Sequence, residues 1–167
     1  LVRRLDPFAL DGMDTYGSIV KIRGDAAALN ALAQQMAAAD ARRPETWAVA
    51  AMCAEVGGDK RRALALIERA LQLDDAHVFA HLLKGALLLG VGKAGRAVAP
   101  FKRAYALSKD LSSFQGLIQA YLNVQRPRAA LSVALEALEQ MPGNARAMTL
   151  VGLVLSYVPA RGADARR

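Results

Sequence analysis

The stretch VFAHLLKGALLLGVGKAGRAVAPFKRAYALSKD (residues 78–110) decides the fold. It opens with an apolar run that carries one small residue, Gly85, and breaks at Gly90-Val91-Gly92-Lys93. Ala97, Phe101 and Ala104 then recur every three or four residues, the period of a buried helix face. This is a helix, a short turn and a second helix. Its landmarks return along the chain. Ala63, Ala97 and Ala130 are 34 and 33 residues apart, and Ala70, Ala104 and Ala137 repeat the same two intervals.

A helix pair recurring at this period is the tetratricopeptide (TPR) pattern. The predicted fold is therefore all-α, a TPR-like α-solenoid in which antiparallel helix pairs stack into a right-handed superhelix. Composition agrees: 35 alanines and only 5% aromatic residues suit closely packed helices, and no stretch alternates with the period of a strand. Such an array shares a continuous core between neighbouring units and has no central one.

Taken in order, residues 1–9 read as the end of a preceding repeat, with Asp6-Pro7 where proline ends a helix. Full repeats are predicted at 10–43, 44–77, 78–110 and 111–144, followed by the first helix of a further repeat at 145–158. Gly17 takes the small-residue position in the first unit. Gly24-Asp25 and Gly57-Gly58-Asp59 are turns, with Asp25 placed to cap the next helix. Pro44 and Pro127 suit first helical turns, and Met141-Pro142-Gly143-Asn144 is a stop. Pro100 breaks the pattern: it lies inside a predicted helix, removes the hydrogen bond to the Arg96 carbonyl and is expected to bend it. The tail 159–167 has no apolar periodicity and reads as disordered. The chain does not begin with methionine and reads as a piece of a longer one.

Chemistry is sparse. The single Cys53 rules out an intrachain disulfide framework and suits an intracellular, reducing compartment. Its place in an apolar helical run marks a structural thiol. The most apolar run, 148–158, is shorter than the ~20 residues that a membrane-spanning helix needs. His77 and His81 stand four apart, as metal ligands can on one helix face, but no third ligand accompanies them. Gly90-Val91-Gly92-Lys93 lacks the strand and spacing of a phosphate loop. No catalytic, cofactor-binding or metal-binding constellation emerges, and the expected chain is not an enzyme.

Net charge is +7, of which residues 78–110 contribute +5. Most of these cations lie on the second helix or its flanking turns, so they read as a solvated convex face and not as a nucleic-acid track. Binding falls to the first helices, which line the concave surface of a TPR array. The second, fifth, ninth and twelfth positions of each unit share one helical face. The candidate protein-binding residues are Asp11 and Asp14, Glu45 and Met52, Phe79, Leu82, Ala86 and Leu89, and Gln115 and Gln119. This groove is expected to be acidic at its N-terminal end and apolar in the middle. An apolar stripe at helical spacing is more often core than the seat of a partner segment, and both readings are kept for Phe79 and Leu82. A clamp for a C-terminal carboxylate is not expected, because Ala48, Met52 and Leu83 stand where clamp-type TPR domains carry cationic and amide side chains.

Beyond the generic repeat, Leu5-Asp6-Pro7, Asp11-Gly12-Met13-Asp14 and Tyr16-Gly17 resemble the segment that enters the central repeats of the anaphase-promoting complex TPR subunits, most nearly the subunit-seven family. Leu82-Leu83-Lys84-Gly85-Ala86, Gly116-Leu117-Ile118 and Ala120-Tyr121-Leu122 continue the likeness, in register from about Leu5 to Leu155. The resemblance implies a non-catalytic scaffold subunit of a ubiquitin ligase that acts in mitosis and cell division, nuclear or cytoplasmic. Its partners would be other TPR subunits of the complex and possible homodimer mates, with no small-molecule substrate, nucleic acid or membrane. The alternative is a generic TPR adaptor that binds a peptide or helix in its groove.

Overall fold

The computed structural model describes residues 11–157. The expected segments at 1–9 and 159–167 lie outside them. The described residues form nine α-helices and no strand: α1 (Met13–Ile22), α2 (Ala26–Ala39), α3 (Pro44–Val56), α4 (Lys60–Leu73), α5 (Val78–Gly90), α6 (Ala94–Leu107), α7 (Leu111–Asn123), α8 (Pro127–Gln140) and α9 (Ala145–Tyr157).

Four of the connections are copies of one turn. In each, a short link joins two helices and one residue within it has left-handed backbone: Gly24, Gly58, Gly92 and Gln125, with φ of 74°, 83°, 74° and 57°. The same three backbone bonds close each turn. In the third copy they run from Val91, Gly92 and Lys93 to the carbonyls of Leu87, Leu89 and Leu88. Glycine adopts this conformation freely, whereas Gln125 holds it against the steric cost of a Cβ. A turn this tight folds the second helix back antiparallel to the first.

Local sequence starts the helices. Asp25, Asp59 and Asp110 accept from the N–H groups of Ala28, Arg62 and Ser113 at 2.8–2.9 Å. His77 does the same for Ala80 through Nδ1 at 3.1 Å. Pro44 and Pro127 occupy first-turn positions, where a missing N–H costs nothing. Pro100 does not end α6, which runs on to Leu107 with the proline ring buried.

Both alanine series are wholly buried: Ala63, Ala70, Ala97, Ala104, Ala130 and Ala137 have no exposed surface. The core runs along the array in three clusters joined by shared side chains, Leu64 between the first and second and Tyr121 and Val133 between the second and third. In the middle, the ring of Phe101 from α6 lies between Gly85 of α5 and Gly116 of α7. A Cβ added at Gly85 would stand 2.5 Å from a ring carbon, and one at Gly116 would stand 2.4 Å away. Gly17 plays the same part at the N-terminal end, where an added Cβ would meet Met52 at 2.9 Å and Val49 at 3.1 Å. Polar side chains stitch the outer helices: Lys109 donates to Glu136, as does the Tyr105 hydroxyl, and these bonds hold the Glu136 carboxyl below the usual range.

Gly85→Ala and Gly116→Ala are each expected to destabilise the fold by about 1–3 kcal/mol, because the Phe101 ring cannot move away from both walls. Gly152→Ala in α9 meets open space and should stabilise by about 0.5–1 kcal/mol through helix propensity alone. Urea denaturation followed by circular dichroism compares the three; equal effects would contradict the wedge.

Candidate concave protein-binding surface

The first helices of the pairs, α1, α3, α5, α7 and α9, lie side by side, each touching the next. They form the surface on which the sequence placed its candidate residues, and the structure divides these into two groups.

The C-terminal group comes together. Leu82, Ala86 and Leu89 of α5 and Ser112, Gln115, Gly116 and Gln119 of α7 line one open hollow of about 330 Å³, floored by Phe101. Gln115 also borders a second hollow with Leu111, Arg146, Thr149 and Leu150, and Gln119 a third with Leu122, Asn123, Gln125, Leu153 and Tyr157. The two glutamines therefore stand at the divides of a continuous depression running across α5, α7 and α9. Leu82 and Leu89 are half-buried and Ala86 is exposed, so the apolar stripe is neither sealed core nor bare surface. Phe79 is half-buried and packs against the first core cluster, at the margin of this surface.

The N-terminal group does not form an acidic groove. Met52 is 1% exposed and belongs to the core, where its terminal methyl rests against Gly17. Without a side chain, Gly17 lets α1 settle onto α3 and covers the positions that face outward farther along. Asp14 is buried as well, and its Oδ2 lies 3.3 Å from Nε2 of His77. His77 Nδ1 accepts from Ala80, which leaves Nε2 as the nitrogen that donates to Asp14. Glu45 Oε1 is 4.0 Å from the same Nε2, and Glu45 Oε2 is 3.3 Å from Nε of Arg43. Arg43 bonds also to Asp11, the one exposed acid of the set. Glu45 first, with Asp11 adding, raises the Arg43 pKa against the opposing effect of burial. Lys21 pairs with Glu55 at the other end of α1 and α3. The acids expected to meet a partner are thus engaged by internal partners. Ala48, Met52 and Leu83, whose identities argued against a carboxylate clamp, are core residues and say nothing about the groove.

Sequence reading missed Arg43 as a counterion, His77 as the hydrogen-bond partner of Asp14, and Phe101 and Gly116 as groove residues. His77 and Asp14 lie 63 positions apart, so no local pattern joins them. His81 is separate from His77: its Nε2 lies 2.8 Å from the Asp75 carbonyl oxygen. The Cys53 thiol bonds to the Leu29 carbonyl and burial raises its pKa, so it is held as a neutral thiol. Among the described residues no helix is long and apolar enough to cross a membrane.

An open row of hollows on paired helices at this period defines the chain as a TPR-type α-solenoid. Solved structures of that class superpose on it. A thermophilic TPR protein of Thermus thermophilus, TTC0263, matches 92% of this chain and 85% of its own with a TM-score of 0.78 at 20% identity. YrrB, described as a TPR protein with an unusual peptide-binding site, matches 93% of this chain and 81% of its own with a TM-score of 0.61 at 17% identity. No family model matches the chain.

Sequence comparison is more specific: along nearly its whole length the chain is similar to a segment of anaphase-promoting complex subunit 7. It is 33% identical to the Arabidopsis thaliana protein over 166 residues, 99% of this chain and 30% of that protein. It is 31% identical to the Homo sapiens protein over 151 residues, 90% of this chain and 27% of that protein. Cell division cycle protein 27 homolog A of Arabidopsis thaliana is 35% identical over 79 residues, 47% of this chain and 11% of that protein. The chain spans about 30% of the length of the subunit 7 proteins that it matches.

His77→Ala removes a helix cap and leaves Oδ2 of the buried Asp14 without its donor, Oδ1 keeping that of Thr15, which should cost about 1–3 kcal/mol. His77→Asn keeps a capping acceptor but is too short to reach Asp14, and its cost should fall between those of wild type and His77→Ala. Thermal melts of the three proteins test the order; equal melting of His77→Ala and wild type would remove the pair from the account.

Proposed function

We propose that the chain is part of a non-catalytic scaffold subunit, of the subunit-seven kind, in an anaphase-promoting complex. In this reading it works in the nucleus or cytoplasm during cell division. The observation that carries it is the similarity to subunit 7, which extends over 99% of the chain in the Arabidopsis thaliana comparison. The make-up of the groove supports a role in assembly: the polar members of the hollow between α5 and α7 are Ser112, Gln115 and Gln119, side chains suited to hydrogen bonding with a partner.

The depression across α5, α7 and α9 is the surface that would seat a neighbouring protein, as a helix or an extended segment of another TPR subunit or of a second copy. Its apolar floor of Leu82, Leu89 and Phe101 offers burial, and the glutamines on the divides offer orientation. The acidic N-terminal positions take no part in this reading, since Arg43, His77 and Lys21 already satisfy them.

Affinity purification of the full-length protein from dividing cells should recover other subunits of the anaphase-promoting complex, and their absence would overturn the reading. Within that experiment, Ala86→Asp combined with Leu89→Asp should reduce the recovered partners about tenfold or more while helicity is retained, because two charges would be buried beneath any occupant. Loss of helicity in the double variant would instead assign the stripe to the core.

A further inference from the structure

The four copied turns share more than backbone geometry, for they carry cations without counterions. Arg23 lies in the first, Lys60, Arg61 and Arg62 at the second, Lys93 and Arg96 at the third, and Arg126 and Arg128 at the fourth; all eight are exposed. These turns stand along one edge of the array. Lys21 and Glu55 tie the C-terminal ends of α1 and α3 together. Lys60 Nζ donates to the carbonyl of Gly90, at the C-terminal end of α5, over 2.7 Å. Asn123 and Tyr157, at the ends of α7 and α9, line one hollow. The acids of this edge are already engaged, Glu55 by Lys21 and Asp25 and Asp59 by backbone N–H groups. None of the eight cations is ion-paired within the described residues.

The opposite edge behaves differently. There Asp11, Asp14, Asp75 and Glu136 each meet a basic partner, respectively Arg43, His77, Arg103 and Lys109. The basic edge is also electrostatically uphill for the fold. Its cations sit on the first turns of α4, α6 and α8, where the helix dipole favours acids. Lys93 and Arg126 stand at the cap positions of α6 and α8 and make no side-chain capping bond, which leaves first-turn N–H groups open to an external acceptor.

We propose that this edge is a docking surface for an acidic polypeptide segment, a run of Asp and Glu lying across the four turns. Arginine forks and open N–H groups both suit carboxylates. Ile22 and Val56, 85% and 46% exposed, stand beside the first two turns and would receive apolar side chains interspersed in such a segment. A single-stranded nucleic acid fits less well, because residues 23–25, 57–62, 91–96 and 124–128 include no aromatic ring on which bases could stack. Gln125 of the fourth turn borders the third concave hollow, but none of the eight cations lines any of the three hollows, so the proposal stands whether or not the subunit reading holds.

The test is fluorescence anisotropy on the whole chain at low and at physiological salt. The probes are a labelled Asp/Glu-rich peptide, a Ser/Gly peptide of equal length, single-stranded DNA and phosphatidylserine vesicles. The acidic peptide should bind most tightly. The triple variant Arg62→Glu, Arg96→Glu, Arg128→Glu should weaken it by about tenfold or more. Its melting temperature should hold or rise, since glutamate suits a helix N-terminus. The control triple Arg42→Glu, Arg69→Glu, Lys102→Glu removes the same charge elsewhere and should weaken binding far less. Equal losses in the two triples, tighter binding of DNA or vesicles, or no binding of the peptide at low salt would each overturn the proposal. Should the glutamate triple fail to fold, the corresponding glutamine triple carries the same comparison.

Discussion

The rest of the array depends on one packing constraint, the Phe101 ring held between Gly85 and Gly116. Its consequence is clearest in the neighbouring layers, where residues 33 or 34 positions away fill the same places. The second helices contribute Ile67, Phe101 and Ala134 in turn. Around Ile67 the flanking first-helix positions hold Ala51 and Leu83, around Phe101 they hold the two glycines, and around Ala134 they hold Ile118 and Leu150. The largest centre has the smallest flanks and the smallest centre has two large ones, because interiors are close-packed and a bulky ring needs room on both sides. What repeats at this level is close packing and not a residue.

That distinction explains what was legible in the sequence. The fully buried alanines repeat in identity because the helices cross closely there and nothing larger fits, so their spacing exposed the period. The turns were legible at Gly24, Gly58 and Gly92 for a similar reason, since the backbone itself asks for glycine. The fourth turn was not, because Gln125 meets the same demand without announcing it. Gly116 was equally silent: it answers to the size of Phe101, fifteen residues earlier and on another helix, and its repeat position carries Leu83 and Leu150 in the neighbouring units.

The candidate groove was half legible on the same grounds. Counting the second, fifth, ninth and twelfth positions assumes that successive first helices are evenly spaced. This holds across α5 and α7, where Leu82, Ala86, Leu89, Gln115 and Gln119 line one hollow. It fails at α1 and α3, where Gly17 lets Met52 and Val49 close the gap. Positions that would face a partner are then covered, and the carboxylate of Asp14 is carried inward to a histidine at the start of a third helix. A groove that is shut at one end and open at the other follows from where the small residue falls.

Charge shows the limit of counting by repeat. Tallied along the chain, the third unit holds most of the excess, yet the structure sorts charge across the array and not along it. Lys84 meets Glu68, Arg103 meets Asp75 and Lys109 meets Glu136, so half of that unit's cations are neutralised on the spot. Lys93 and Arg96 are not, and they align with cations from three other units that contribute little or nothing to the net excess. An uncompensated charge has meaning only beside its neighbours in space. Because each repeat delivers its turn to the same edge, a modest basic preference at one repeat position becomes a continuous basic ridge. The solenoid thereby turns a periodic sequence feature into an extended surface, as it does on the concave side with apolar residues.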